Sequence, residues 1–508
     1  MKPAEGWRRG FFPLFVIALS GCTVGPRFKP PPAPSVKAYT AKPLPKETAS
    51  AKIAGGGAQR FVAGLKIPGE WWRLFHSKAL DALVKEALQN NPDLAAARAA
   101  LRRAFEQVEA ARGALYPLAA ADVSASRNKT AASLGAVPAN GELYYSLFTP
   151  QLTVAYNPDV FGGVRHRIES RAAAAEARRF ELEAAYLSLT SNVVADAIAE
   201  ALLHARIEAT RDVIRIAREE LKILRRQEAL GEVAGADVAA QEAALAAARA
   251  ELPPLQKALS QERDRMAELA GRYPSEQLTA SFTLSSLTLP RELPMSLPAR
   301  LVAQRPDVRA AEAQLHKASA EIGVAVAARL PQLTLDGAIG SSALTLGGLG
   351  AAGNLFWGVA GDVAQTVFDA GTLLHRQRAA EAAYEEAAAQ YRRTVLGAFR
   401  DVADALHALL SDAEALKSAV TAERAAKKSL DIARRQLALG AINYLGLLNA
   451  QKTYARARLR LARARANRFT DTAALFEALG GGWWHRRDLG FGGRDVKEDA
   501  ERAPARKR

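Results

Sequence analysis

The chain has 508 residues, of which 49% are hydrophobic and 24% are charged, and its formal net charge is +16. Its basic residues are interleaved with glutamate along helical patterns such as 215–232, which indicates solvated helix faces and argues against a nucleic-acid-binding block. A single cysteine excludes an intrachain disulfide and is too few for a cysteine-based structural zinc site.

The amino terminus has the pattern of a bacterial lipoprotein signal. A basic start is followed by the apolar run 11–19, which has signal-peptide length and is too short to span a bilayer. The Leu-Ser-Gly-Cys stretch at 19–22 then resembles a lipobox, which predicts a signal peptide over 1–21 and a covalent lipid on Cys22. Because Thr23 follows in place of aspartate, we expect the inner leaflet of an outer membrane as the destination. An ordinary secretory signal with an incidental cysteine is the alternative.

Residues 22–70 are rich in proline, glycine, alanine and lysine. This composition predicts an extended, partly polyproline tether between the lipid and the folded body. Beyond the signal, no apolar run reaches the about 20 residues of a transmembrane helix. Any segment that spans a membrane must therefore be built from strands.

The chain repeats itself after the tether. Residues 91–120 parallel 305–334, and Pro117 and Pro331 occupy equivalent positions at the junction between a helix and a following strand. Later segments echo each other in the same order, which predicts a tandem duplication of one structural unit. The predicted domains are a first repeat at 71–271, a proline-punctuated linker at 272–304, a second repeat at 305–480 and a disordered tail at 481–508.

Each repeat contains one very long helical pattern. Neither glycine nor proline occurs between Val164 and Leu230, a stretch that would form a helix about 100 Å long. Its apolar residues alternate at spacings of four and three, which is the seam of a coiled coil and requires a partner helix. The matching stretch of the second repeat is 372–439. The pair Pro253-Pro254 is expected to interrupt the first return helix.

The long helices are predicted to end in helical hairpins. Gly231 and Gly440 follow them at the position of C-cap glycines. New helical patterns run back after each glycine, so the hairpin turns are expected at 231–237 and 440–446.

Four stretches alternate between apolar and polar residues over the length of a transmembrane β-strand, namely 118–127, 147–157, 332–341 and 357–367. The polar links at 128–146 and 343–354 are expected to be outer loops. A small soluble sandwich is the alternative for the strands alone. In lipid, four strands leave open edges whose unpaired amides cost several kcal/mol each, so other copies of the chain must complete the sheet.

This order of parts resembles the outer membrane factor (TolC-like) family, and specifically its lipidated NodT-type efflux branch. The resemblance is carried by residues 19–31, 71–88, 91–101, 305–315, 231–243, 252–255, 440–451 and 478–483. It implies an α+β membrane protein in which a homotrimer shares a twelve-stranded transmembrane β-barrel, with four strands per chain. A long α-helical coiled-coil tunnel would extend from the barrel into the periplasm.

The function implied by the resemblance is the outer-membrane channel of a tripartite efflux system in a Gram-negative bacterium. The channel would passively conduct small molecules from an inner-membrane efflux transporter and a periplasmic adaptor protein to the exterior. An outlet for type I protein secretion and a structural coiled-coil lipoprotein remain as alternatives. Channels of this family leave the selection of substrate to the pump.

The resemblance also places a periplasmic tip and gate at Asp237, Tyr444, Gly446 and Asn449. Family members with an acidic constriction carry carboxylates at the positions of Gly446 and Asn449, and this chain has neither, so a strongly cation-selective ring is not expected there. Asp237 has a simpler interpretation as the N-cap of the return helix. Tyr444 and Asn449 are expected to narrow the closed tip by packing and hydrogen bonding.

No enzymatic activity is predicted. The seven histidines are scattered, and no His-x-x-x-His pair, Gly-x-Ser-x-Gly elbow or phosphate-binding loop occurs. We therefore expect no catalytic residue, no metal site and no cofactor apart from the lipid on Cys22.

Overall fold

The computed structural model describes residues 23–129, 144–276 and 278–486. The predicted signal peptide, Cys22 and residues 487–508 lie outside these ranges. The chain divides into two compact units. The strand unit comprises the chain up to Pro31, Ala99–Arg179 and Ala310–Arg393, and the helical unit comprises Pro32–Arg98, Phe180–Arg309 and the chain from Thr394 onwards.

The chain contains six described strands. In chain order they are β1 (Arg60–Ala63), β2 (Leu118–Lys129), β3 (Tyr144–Tyr156), β4 (Glu292–Met295), β5 (Gln332–Ser341) and β6 (Leu355–Ala364). In the strand unit, β2, β3, β5 and β6 form an antiparallel sheet in that order. The four predicted strands are confirmed. Pro117 and Pro331 each directly precede a strand, β2 and β5, where their fixed φ and missing N–H are tolerated.

The pairing register gives this sheet one apolar and one polar face. Leu152 lies opposite Ile339, which in turn lies opposite Trp357, so these side chains share a face. The apolar face is highly exposed within the chain: Val123, Trp357, Val359 and Val363 are 84%, 75%, 81% and 72% exposed. The opposite face carries Asp122, Ser124, Gln151, Thr153, Thr334, Asp336 and Asp362.

The described α-helices follow the predicted duplication. They are α1 (Lys78–Asn90), α2 (Pro92–Gly113), α3 (Gly163–Ala229), α4 (Gly235–Ala250), α5 (Leu252–Leu269), α6 (Pro298–Gln304), α7 (Pro306–Ala327), α8 (Thr372–Ala438) and α9 (Tyr444–Ala478). The equivalent helices α2 and α7 both have 22 residues, and α3 and α8 both have 67. The first return helix breaks at Glu251, just before the two prolines, whereas α9 continues for 35 residues.

Among the helices described, none is both long enough and apolar enough to cross a membrane.

Aromatic side chains form the core of the helical unit. Trp71 stacks on Phe476 at a centroid distance of 5.5 Å, and Phe75 lies 6.3 Å from Phe469. All four side chains are almost fully buried. The residues that open the first repeat thus pack against the end of the second.

The tether and the linker are more ordered than their composition indicates. β1 of the tether pairs in parallel with β4 of the linker, with Phe61 opposite Leu293. The predicted tail also begins too early, because residues 481–486 are folded. Trp483 there donates its indole N–H to the Gln304 carbonyl at 2.7 Å.

Candidate functional site

The candidate site consists of the two helical hairpins in the helical unit. Gly231 and Gly440 are each the second residue after the end of α3 and α8, with φ of +79° and +69°. No atom lies within 4 Å of a Cβ built on either residue. The requirement for glycine therefore comes from the left-handed backbone and not from a lack of space.

The turns after these glycines differ in how they start the return helices. The N-cap of α4 is Ala234, which makes no side-chain cap, so the predicted N-cap role of Asp237 is wrong. Asp237 lies in the first turn, and its backbone N–H already donates to the Ala234 carbonyl at 3.0 Å. In the second hairpin, Asn443 caps α9 by accepting a hydrogen bond from the Gly446 N–H at 3.1 Å.

Tyr444 occupies the centre of a hydrogen-bonded contact between the hairpins. It is 4% exposed, and its hydroxyl donates to the side-chain oxygen of the fully buried Gln241. The amide nitrogen of Gln241 donates to the Ala217 carbonyl at 2.7 Å. Burial, with Glu220 and Asp237 nearby, raises the pKa of Tyr444 and keeps it a neutral donor. This chain of bonds joins α9 to α4 and α3.

Apolar side chains surround this contact. The predicted coiled-coil seam of α3 is buried at Ile207, Thr210, Ile214, Ala217, Leu221 and Leu224. Four of these residues belong to one cluster with residues of the other hairpin helices; its members include Ile214, Ala217, Leu221, Leu224, Val238, Leu245, Leu430, Tyr444 and Leu447. The four helices of the hairpins therefore share a core.

Ion pairs link α3 to each of the other hairpin helices. The pairs are Arg225–Glu242 at 2.6 Å to α4, Glu220–Arg434 at 3.1 Å to α8 and Asp212–Arg458 to α9. Burial raises the pKa of Glu220, and the Arg434 guanidinium opposes that shift. The half-buried pair at Glu220 is the one least screened by solvent.

The predicted gate residues are not all brought together. Tyr444 points into the shared core, whereas Asn449 is exposed and its carbonyl accepts from the Thr453 hydroxyl at 2.8 Å. Gly446 is half-buried beside Asn443. Sequence reasoning missed Gln241, although it occupies an inward position between Val238 and Leu245 at helical spacing.

A groove lined by acidic side chains lies elsewhere in the helical unit, between α8 and α9. Its volume is about 460 Å³, and its charged lining is Arg305, Asp401, Asp404, Asp471 and Glu477. Burial, together with the charge and hydrogen bond of the neighbouring Asp412, raises the pKa of Asp471 to about 7. Two carboxyl groups that hydrogen bond to each other must share a proton.

Replacing Asp471 by asparagine is expected to remove a pH dependence of stability. The folded protein holds this proton more tightly than the unfolded chain, whose Asp titrates near pH 4, so stability falls as the pH rises from about 4 to 7. At pH 8 the variant should be more stable by about 1–2 kcal/mol after solvent screening, a gain that vanishes near pH 4. Thermal unfolding of both proteins between pH 4 and pH 8 measures this difference in stability. Asp404→Asn, at a 72% exposed side chain, is the control, and equal pH profiles for Asp471→Asn and the unmodified protein would refute the shared proton.

Comparisons with known proteins agree with this architecture. The sequence profile of a family described as outer membrane efflux protein matches residues 83–272 and 297–481. The pyoverdine export outer membrane protein OpmQ of Pseudomonas putida is 29% identical over 446 residues, covering 87% of this chain and 94% of that protein. The toluene efflux pump outer membrane protein TtgC of Pseudomonas putida is 27% identical over 473 residues, covering 92% and 94%.

Solved structures have the same fold. The outer-membrane channel OprN superposes with a TM-score of 0.80 at 28% identity and covers 91% of this chain and all of its own. The open state of the Neisseria gonorrhoeae MtrE outer membrane channel gives a TM-score of 0.76 at 26% identity, covering 91% and 99%. The fold class predicted from the sequence is confirmed. The matching family is an efflux family and not an enzyme family.

Proposed function

The chain belongs to the outer membrane efflux protein family, and from this premise we propose that it is the outer-membrane channel of a tripartite efflux system. Small molecules would enter at the hairpins and leave through a barrel built from the sheet of the strand unit. Relatives are named for pyoverdine export and toluene efflux. In the system of this chain, the partner pump would select the substrate, and the channel would conduct it passively.

A single feature carries this proposal, namely a membrane-length sheet with two open edges. Within the strand unit, β2 and β6 each pair on one side only. In a bilayer every unpaired N–H and C=O of these edges would cost several kcal/mol, so β2 of one copy must pair with β6 of another. Three copies would close a barrel of twelve strands, the homotrimer of the family. The apolar face would then contact lipid.

The polar face would line the interior of this barrel. Among the described strand residues it carries three carboxylates, Asp122, Asp336 and Asp362, and no lysine or arginine. The net positive charge of the chain therefore lies elsewhere. A hydrated, hydrogen-bonding interior suits the passage of polar and charged molecules.

The hairpins are the surface that we assign to the periplasmic adaptor. Three leucines are exposed there, Leu230, Leu439 and Leu445, at 67%, 82% and 60%. Exposed apolar side chains at the ends of a soluble helical bundle favour contact with a partner. An inner-membrane transporter would bind through that adaptor. A type I secretion outlet would differ in the transporter that co-purifies with the chain.

The lipid on Cys22 would be a second anchor beside the barrel. Each buried methylene contributes about 0.8 kcal/mol to membrane binding. Cys22→Ser with an intact export signal should therefore still insert its strands, although less efficiently.

Two substitutions on β6 test the membrane assignment. Val359→Arg places a charge on the apolar face, at about 2–4 kcal/mol per chain near the bilayer midplane, and should abolish assembly in the outer membrane. Ala360→Arg, one residue along, places the same charge on the polar face and should assemble. Heat-modifiable migration on gels and efflux-dependent drug resistance are the measurements. Equal tolerance of both variants would favour the structural lipoprotein.

A further inference from the structure

A short strap follows the predicted lipid attachment site in the strand unit. We define it as residues 23–31. The Val24 N–H donates to the Phe161 carbonyl at 3.1 Å. The Phe28 ring stacks on His316, with centroids 4.3 Å apart and an interplanar angle of 12°. A side chain at Gly25 would meet Gly323 at 2.7 Å, so the strap lies directly on α7.

A cluster of three titratable side chains holds this strap. The Nε2 of His166 lies 2.7 Å from the Val24 carbonyl, and its Nδ1 lies 3.0 Å from one carboxylate oxygen of Glu169. The other oxygen of Glu169 lies 2.9 Å from Nε2 of His316. His166 is 5% exposed, so water does not substitute easily for these bonds.

The partners of His166 determine how many protons it needs. A carbonyl oxygen and a carboxylate both only accept hydrogen bonds, so His166 must carry a proton on each ring nitrogen to make both contacts. Burial alone would raise the pKa of Glu169, but the hydrogen bonds from His316 and His166 hold it below its usual value. Glu169 is therefore ionised and accepts the hydrogen bonds from His166 and His316.

Other charged groups near the cluster have partners of their own or face solvent. On α3, Arg165 pairs with Asp159 at 3.0 Å. On α7, Glu321 accepts from the Ser170 hydroxyl. The charged residues of the strap, Arg27 and Lys29, are exposed.

We propose that His166, Glu169 and His316 form a proton-dependent latch for the segment that follows the acylated cysteine. A doubly protonated His166 binds the strap and Glu169 together. A neutral imidazole has one N–H, so loss of the proton breaks one of the two bonds and loosens the strap. The latch would thus tighten the connection between lipid anchor and channel body when His166 carries both protons and relax it when one is lost.

Hydrogen exchange on the intact purified protein tests the latch. The amides of the strap are compared at pH 5.5 and 7.5 after correction for the intrinsic exchange rate. The unmodified protein should lose about tenfold in protection at the higher pH, as the loss of one charge-assisted hydrogen bond would give. Because this comparison needs no variant, it does not depend on a substitution being tolerated.

Two variants complete the experiment. His166→Phe keeps a ring but removes both donors, and it should give low protection of the strap at both pH values. His375→Phe replaces an exposed histidine of the same unit and should behave like the unmodified protein. Strap protection that is independent of pH in the unmodified protein, or unchanged in His166→Phe while the sheet amides stay protected, would overturn the proposal. Neither outcome bears on whether the protein conducts, so the efflux function is tested separately.

Discussion

Replacing Tyr444 by alanine is expected to loosen the second hairpin and to raise the conductance of the channel in planar bilayers. Tyr444 is 4% exposed and belongs to the core that the four hairpin helices share. Its loss leaves a cavity and removes the hydroxyl that satisfies Gln241, a change of about 3–5 kcal/mol for a buried aromatic residue. Since the bond to Gln241 connects α9 to α4, the second hairpin should then separate more easily from the first.

Two further variants separate packing from hydrogen bonding. Tyr444→Phe keeps the ring and leaves only the buried oxygen of Gln241 unpaired, which costs about 1–3 kcal/mol. Its channel should therefore open less often than that of Tyr444→Ala. Leu445→Ala, at the adjacent 60% exposed position, should leave the conductance unchanged. A Tyr444→Ala protein that assembles normally but conducts like the unmodified protein would contradict a gate at this contact.

Replacing Arg468 by methionine is expected to lower the free energy of unfolding by about 1–3 kcal/mol, because buried acceptors lose their donor. Arg468 lies on α9 and is fully buried. Its guanidinium donates to the Gln59 side chain at 2.6 Å and to the Gly57 carbonyl and the Thr48 hydroxyl at 3.3 Å each. The change removes the contacts that fasten the tether to α9, and it also removes a positive charge near Asp471.

Thermal unfolding and limited proteolysis measure this effect. We expect the tether to be cut faster in Arg468→Met, because its side-chain anchor is gone. Arg73→Met is the matched control, since Arg73 pairs with Glu70 at the surface, where solvent screens the pair. Arg468→Lys should restore little of the lost stability, because the ammonium group of lysine cannot reproduce the planar donor geometry of the guanidinium. Equal stability of Arg468→Met and Arg73→Met would show that the tether is held by other contacts.

The long helices and the strands of the sheet could be predicted because their signals are continuous along the chain. The absence of glycine and proline from Val164 to Leu230 predicts both ends of α3 to within one residue. The alternation of apolar and polar residues predicts both ends of β5, Gln332 and Ser341. Both patterns extend over ten residues or more, so single exceptions do not hide them.

Elements that depend on distant partners could not be predicted in the same way. β1 and β4 have four residues each, and only their pairing across 232 positions of the chain makes them strands. The glycines at 480–482 resemble the start of a tail, but all three adopt positive φ in a folded turn that leads to Trp483.

The candidate site shows the same difference between local signals, which the sequence carries, and contacts between distant residues, which it does not. Gly231 and Gly440 carry a local backbone requirement, so the hairpins could be placed from the sequence. The partner of Tyr444 lies on another helix, and only the fold identifies it as Gln241. The prediction of Asp237 as N-cap is wrong because the turn ends three residues earlier, at Ala234.

The closure of the sheet by other copies of the chain is tested most directly by cysteine cross-linking between its two edges. Ser124→Cys on β2 is combined in turn with Gly358→Cys, Ala360→Cys and Asp362→Cys on β6, in a Cys22→Ser background, and the oxidised protein is separated under non-reducing conditions. The structure leads us to expect at least one pair that yields covalent trimers and no larger species. Cross-links confined to single chains, or no cross-link from any pair in the membrane-inserted protein, would contradict a barrel shared between copies.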